Sequence, residues 1–135
     1  MVKHSVLFAI GGLVYYCIEL IYRGYSSWQM IIVGGLCFVL IGLINEFLSW
    51  STPLWLQSII ATITVTTVEY VSGLILNLWL DLHIWDYSNL PFNIHGQICL
   101  YFSLTWLALS IVAIVFDDWL RYWLFGEAKP KYKLL

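Results

Sequence analysis

Four long apolar segments constrain this chain more than any other feature. They run approximately over residues 5–22, 29–48, 53–80 and 94–125. An α-helix needs about 20 residues to cross a hydrocarbon core of about 30 Å, and all four segments are close to that length or longer. The sequence therefore predicts an all-α fold, a four-transmembrane-helix bundle in which residues 81–93 form the long outer loop. Residues 1–135 are expected to form a single transmembrane domain.

The composition indicates that the solvent is lipid. Of the 135 residues, 61% are hydrophobic and only 10% are charged, whereas soluble domains have about 25% charged residues. Eight Trp and nine Tyr residues suit the membrane–water interface. A net charge of -2 argues against nucleic acid as a partner. We therefore expect membrane lipid as the surroundings and the cell membrane, plasma or inner, as the location.

The distribution of basic residues predicts the orientation. Five of the six lie near the two ends of the chain: Lys3, Arg121, Lys129, Lys131 and Lys133. An even number of spans places both ends on one side, and the positive-inside rule makes that side the cytoplasm. Only Arg23 falls in a predicted outer loop, and residues 81–93 contain no Lys or Arg. The prediction is a multi-pass protein with cytoplasmic N- and C-termini.

A weak internal repeat suggests how the helices are arranged. Glu19 is followed by Gly24 in the first segment, and Glu69 is followed by Gly73 in the third. This pattern favours two helical hairpins of the same orientation, as in transporters built from parallel repeats.

The third segment has a polar stripe along nearly its whole length. At 100° per residue, its members fall within about 100° of one another: Ser58, Thr62, Thr66, Glu69, Gly73 and Asn77. An unpaired polar group in hydrocarbon is costly, so this stripe is expected to face other helices or water. Glu69 is the strongest point on it, because an intramembrane ionisable residue is a functional candidate by default.

Orientation and helical phase bring a larger set of polar residues to the outer half of the membrane. We predict that they form a substrate or ion pocket: Glu19, Arg23, Glu69, Asn77, Asp86, Asn93 and Gln97. Glu19 and Arg23 lie at i and i+4, which is contact distance on a helix. Two carboxylates near one Arg would make a site that responds to protons or cations. The alternative is a purely structural hydrogen-bonded cluster between helices.

Other polar residues have simpler interpretations. Asp117 and Arg121, at i and i+4, are expected to form an interfacial salt bridge near the cytoplasmic end, and Glu46 is expected to reach headgroups or water. Gly35 and Gly42 are expected to mark close helix packing. The three cysteines lie inside apolar segments without a C-x-x-C pattern, which predicts neither a disulfide framework nor a metal site. No cofactor is expected.

Three stretches resemble a known family: residues 12–24 (GLVYYCIELIYRG), 68–77 (VEYVSGLILN) and 85–106 (WDYSNLPFNIHGQICLYFSLTW). The sequence is similar to the type IV ABC-transporter family of small bacterial membrane proteins and to a group of vertebrate transmembrane proteins. The most specific match is the loop motif Trp85-Asp86-Tyr87-Ser88. The resemblance implies transport, and the family pattern falls on Glu19, Arg23, Glu69, Gly73, Trp85, Asp86, Tyr87, Ser88, Asn93 and Gly96.

Three functions are compatible with these features. The first is a transporter component or channel for a small ion or polar solute, within a homo-oligomer, with a dimer favoured. The second is a structural or partner-binding membrane protein, in which the polar cluster only locks the helices together. The third is an intramembrane enzyme, suggested by the Glu19-x-x-x-Arg23 spacing, although no Ser-His, Cys-His or His-x-x-x-His arrangement is evident. The residues favour the first function, and no catalytic residue is assigned.

Overall fold

The computed structural model describes residues 2–48, 52–127, 129–130 and 132, without the side chains of Arg23 and Asn45. Its four α-helices are α1 (Val2–Arg23), α2 (Trp28–Phe47), α3 (Leu54–Gly73) and α4 (Leu100–Phe125). A π-helix, Leu74–Trp79, continues α3 directly. The segments Val2–Tyr22, Leu54–Trp79 and Leu100–Phe125 are long and apolar enough to cross a membrane, and α2 carries a shorter apolar stretch, Trp28–Ile44. The prediction of a helical membrane protein is confirmed.

The prediction that the fourth helix begins near residue 94 is wrong. Residues 93–99 form a small antiparallel hairpin of β1 (Asn93–Ile94) and β2 (Ile98–Cys99), and α4 begins only at Leu100. His95 and Gly96 have φ angles of 54° and 71°, which a right-handed helix excludes. The Asn93 side chain also accepts a hydrogen bond from the Gly96 amide at 3.1 Å, and this bond stabilises the turn.

Glycines let α1 and α2 pack at very short distance. A Cβ atom built on Gly12 would lie 2.3 Å from the Ile31 carbonyl oxygen, and one on Gly35 would lie 2.6 Å from the Phe8 carbonyl oxygen. Small residues allow such approach between membrane helices. The expectation that Gly35 marks close helix packing is confirmed.

Buried polar residues lie at both ends of the bundle, with an apolar layer between them. We call the end that holds the connections 24–27 and 80–99 the loop end, and the opposite end, where Lys3 meets Glu127, the termini end. Between them lies an apolar layer formed by Ile41, Ala61, Val65 and Ile114, which are all buried and in one cluster. Along α3 this layer separates the buried Gln57 and Ser58 from the buried Glu69.

Candidate functional site

Glu69 is buried in the loop half of α3 and is held by two aromatic donors. Its residue surface is 7% exposed. The Tyr87 hydroxyl donates to Glu69 Oε2 at 3.1 Å, and the Trp106 indole N–H donates to Oε1 at 3.3 Å. The carboxylate is therefore contacted from the loop and from α4, and it does not point into lipid.

Two aromatic residues contact this carboxylate and two more pack against them; we call the four the aromatic cluster: Tyr15, Tyr87, Phe102 and Trp106. The Tyr87 and Phe102 rings stack with centroids 4.7 Å apart and planes at 14°, and the Tyr15 and Trp106 centroids are 5.9 Å apart. Burial raises the pKa of the Tyr87 hydroxyl, and the negative charge of Glu69 raises it further. The hydroxyl therefore stays protonated and donates to Glu69 across the physiological range.

Glu19 is the second buried acid of the loop half, and it lies beside a cavity. Glu19 is 7% exposed, and the Ser26 hydroxyl donates to its Oε1 at 3.0 Å. The cavity has a volume of about 190 Å³ and lies between the α1–α2 connection and the start of the long loop. Its lining residues are Glu19, Tyr25, Ser26, Ser27, Leu82, His83 and Ile84. The side chain of Arg23, the predicted partner of Glu19, lies outside the described residues.

The Ser27 hydroxyl adds an open hydrogen-bonding group to this cavity. Its oxygen is buried and has no hydrogen-bond partner among the residues that the structure describes. A buried polar group is normally paired with protein or with a small polar molecule. The Glu19 cavity therefore has a carboxylate and a hydroxyl with which a cation or polar solute can interact.

The polar stripe of α3 is buried only in part. Ser58, Glu69, Gly73 and Asn77 are buried, whereas Thr62 and Thr66 are half-buried. Thr62 donates to the carbonyl of Ser58 in its own helix at 2.8 Å, which is how a membrane helix satisfies a hydroxyl without a partner helix. Of its buried members, Ser58 and Glu69 contact α4, whereas Gly73 and Asn77 face the 80–99 connection.

Asn77 and Gln97 fasten the long loop to the bundle. Asn77 Nδ2 donates to Gln97 Oε1 at 2.8 Å, while Asn77 Oδ1 accepts from the Ile84 amide at 2.7 Å and the Trp85 amide at 3.3 Å. The Trp85 indole donates to the Gln97 carbonyl at 2.9 Å. A Cβ on Gly73 would lie 2.4 Å from Gln97 Oε1, so Gly73 leaves the space that Gln97 occupies. The hydrogen bonds of these two amides position the loop.

Asp86 and Asn93 shape the loop itself. Asp86 is exposed, and its Oδ1 accepts a hydrogen bond from the Ser88 amide at 2.8 Å, which lowers the pKa of the Asp86 carboxyl. Asn93 donates to the Leu90 carbonyl at 2.8 Å. Within the Trp85–Ser88 motif, Trp85 is the buried anchor, Asp86 and Ser88 form the turn, and Tyr87 reaches Glu69. Two of the seven predicted pocket residues, Glu19 and Glu69, are thus buried acids of the membrane segments. Four others hold or shape the long loop: Asn77, Asp86, Asn93 and Gln97.

A second charged cluster lies at the termini end, and the sequence predicted only its Asp117–Arg121 pair. Arg121 Nη1 lies 2.7 Å from Glu46 Oε1, and Arg121 Nε lies 2.9 Å from Asp117 Oδ2. The predicted salt bridge is present and buried in the protein, with Asp117 0% and Arg121 3% exposed. The Glu46 carboxylate also pairs with Lys3 at 3.0 Å, and the position of these groups at the membrane interface stays a prediction.

Gly42 explains how a charged pair fits among packed helices. A Cβ there would lie 2.6 Å from Arg121 Nη2 and 2.8 Å from Asp117 Oδ1. Gly42 was expected to mark helix packing, and it accommodates this ion pair. The segment after α4 adds further links, since Lys3 contacts Glu127 at 2.9 Å. The i,i+4 spacing of Asp117 and Arg121 predicts their pair, but no pattern along the chain shows that α2 and α4 meet there.

The described part of the chain holds no group of three or more His, Cys, Asp or Glu side chains arranged to bind a metal ion.

Comparison with protein families gives a match over nearly the whole chain. A family model described as "Putative ABC-transporter type IV" matches residues 6–132. No curated protein matches the chain, and no solved structure does.

Proposed function

This chain belongs to the family described as "Putative ABC-transporter type IV", and on that premise we propose that it moves a small ion or polar solute across the cell membrane. The proposed orientation has both termini in the cytoplasm and the loop end outside. Four helices are few to enclose a pathway, so the working unit is proposed to be a homo-oligomer, with a dimer favoured.

One observation carries this proposal: two buried carboxylates lie in the loop half of the membrane segments. Glu19 and Glu69 are each 7% exposed, and a buried charge in a bilayer is retained at a cost of about 2.5–3.5 kcal/mol on insertion scales. Residues of this kind usually mark ion and substrate pathways. The cavity beside Glu19 supports entry from the loop end.

The test is flux into proteoliposomes with purified protein. We expect uptake of a cation or small polar solute by the wild type, and loss of most of that uptake in Glu19→Gln and Glu69→Gln. Gln keeps the size and most of the hydrogen bonding of Glu but removes the charge. The panel should include protons, monovalent cations and small zwitterions.

Asp81→Asn is the matched control, because Asp81 is also a loop-end acid but its side chain is 77% exposed. Its φ of 57° is one that Asn tolerates well, so the backbone should not change. Wild-type flux in this variant is expected. Flux that is absent throughout, or equal in wild type and Glu69→Gln, overturns the proposal.

A structural role is the second candidate, and the contacts of Glu69 favour it. Each oxygen of its carboxylate accepts a hydrogen bond, and Glu69 does not line the cavity beside Glu19. If Glu69→Gln lowers thermal stability and no transported species is found, the structural role of Glu69 is supported and the transport proposal is wrong.

A further inference from the structure

The surroundings of Glu69 combine one negative charge with several aromatic rings. Tyr87 and Trp106 contact its carboxylate directly, Phe102 stacks on Tyr87, and Tyr15 packs beside Trp106. An aromatic ring attracts a cation through the negative face of its π-system, and Trp does so best. A carboxylate that contacts two aromatic side chains, each packed against a further ring, is therefore suited to a cation that has apolar surface.

The loop above Glu69 carries negative charge. Asp86 is exposed, and residues 84–93 contain no Lys, Arg or His. A charge at the entrance to a site raises the local concentration of the opposite ion. Asp86 thus favours cations over anions in the part of the loop next to Tyr87.

The number of oxygen ligands disfavours divalent metal ions. Ca²⁺ takes six to eight oxygens, and Mg²⁺ demands an octahedron and gives up water reluctantly. The polar groups at this site are the Glu69 carboxylate itself, the Tyr87 hydroxyl and the Trp106 indole N–H, which are too few oxygen ligands for either ion. An organic ammonium ion differs, because methyl groups spread its charge and it is less costly to remove from water.

We propose that Glu69 and the aromatic cluster form a binding site for an organic cation of the substituted-ammonium class. This inference rests on the proposed function, since it names the substrate class of the same loop-half region. The carboxylate supplies the counter-charge, and the Trp106 and Tyr15 rings supply cation–π contact.

Tyr87 occupies part of this site in the described state. Its hydroxyl donates to Glu69 Oε2, while its ring stacks on Phe102. An incoming cation displaces the hydroxyl from Oε2, so the two compete for one oxygen. Tyr87 is thus a specificity-determining residue, because a ligand binds only if it interacts with Glu69 more strongly than the Tyr87 hydroxyl does.

The experiment is equilibrium binding of benzyltrimethylammonium to the purified full-length protein in detergent, with benzyl alcohol as the neutral comparison. We expect saturable binding of the cation and none of the alcohol. Glu69→Gln should lose binding. Trp106→Phe should weaken it by roughly 2- to 30-fold, the range of one cation–π contact.

Tyr87→Phe distinguishes the proposed role of Tyr87 in ligand selection from a purely structural role. It keeps the ring and removes the competing hydroxyl, so binding should tighten by roughly 2- to 10-fold, the value of one neutral hydrogen bond. This variant also keeps the test valid if Glu69→Gln fails to fold. Asp81→Asn, whose carboxylate is outside the site, should bind within about twofold of wild type.

No saturable binding, or affinities that are equal in wild type, Tyr87→Phe and Trp106→Phe, overturns the inference. Its failure is distinct from failure of the proposed function. If an inorganic cation is transported but benzyltrimethylammonium does not bind, the transport proposal stands and the organic-cation proposal is wrong. If benzyltrimethylammonium binds but no flux is found, the binding site stands and the transport proposal is wrong.

Discussion

At the scale of single residues, Arg121 has the most constrained position. Its guanidinium is almost completely buried and pairs with carboxylates from α2 and from α4. Two of the atoms in this pair, Arg121 Nη2 and Asp117 Oδ1, have no hydrogen-bond partner among the described residues. Burying an ion pair is expensive, and the net contribution of such a pair is small, but removing one partner leaves an uncompensated charge.

Arg121→Met is therefore expected to lower the free energy of unfolding by about 3–5 kcal/mol. Methionine retains the apolar length of the side chain, so most of the loss comes from the buried Asp117 carboxylate left unpaired, since Glu46 keeps its contact with Lys3. The measurement is SDS-induced unfolding in mild detergent, followed by circular dichroism.

Glu127→Gln is the control for this change. Glu127 lies 3.8 Å from Arg121, and its side chain is 37% exposed, so its loss should cost less than about 1 kcal/mol. Equal effects of the two substitutions would mean that burial is not what makes Arg121 important.

At the scale of helices, the α1–α2 hairpin depends on close approach of backbones. The Cβ that Gly12 lacks would meet a backbone oxygen of α2 at 2.3 Å. A side chain can rotate away from a new methyl group, but a helix backbone can yield only by moving the whole helix. The interface thus tolerates very little added volume at this position.

We expect Gly12→Ala to destabilise the protein by about 1–3 kcal/mol, the usual range for overpacking. The same unfolding assay measures it. Ala9→Leu adds more volume on the same helix, but at an exposed position, so it should be nearly neutral. A neutral Gly12→Ala would show that α1 and α2 do not pack this closely.

Sequence patterns predicted the helices well where hydrophobicity alone decides them, and failed where a turn competes with a helix. The apolar periodicity continues from Ile94 into α4, which is why the predicted helix begins too early. The positive φ angles at His95 and Gly96 arise because this segment folds back as a hairpin, where Tyr70 meets His95 at 2.6 Å. Such a tertiary contact has no counterpart in local hydropathy.

The candidate site was predictable in part for the same reason. Helical phase and the depth of each residue identified the buried acids Glu19 and Glu69. They did not show that Asn77 and Gln97 bond each other, nor that Tyr87 reaches Glu69. Hydrogen-bond partners between a loop and a helix depend on the loop path, which periodicity does not encode.

At the scale of the whole molecule, the direction of the chain in the membrane is the first property to test. Asn89 is exposed at the loop end and Lys129 is exposed beyond α4. In a background without Cys17, Cys37 and Cys99, we expect Asn89→Cys to react with a membrane-impermeant thiol reagent in intact cells. Lys129→Cys should react only after permeabilisation.

These two positions report opposite sides of the membrane, so each is the control for the other. An N-terminal tag that is protected from protease in intact cells, together with a Lys129→Cys thiol that is protected from labelling, would support an even number of crossings. Labelling of Lys129→Cys in intact cells contradicts cytoplasmic termini.

The apolar layer of Ile41, Ala61, Val65 and Ile114 has a consequence for the speed of any passage. These four side chains contain no oxygen or nitrogen atom, so under the proposed transport function an ion passing between Glu69 and Asp117 would lose much of its hydration there at high cost. We therefore expect the proposed transport to proceed by separation and reclosure of the helices for each ion, with the slow, saturable turnover of a carrier and without the rates of an open channel.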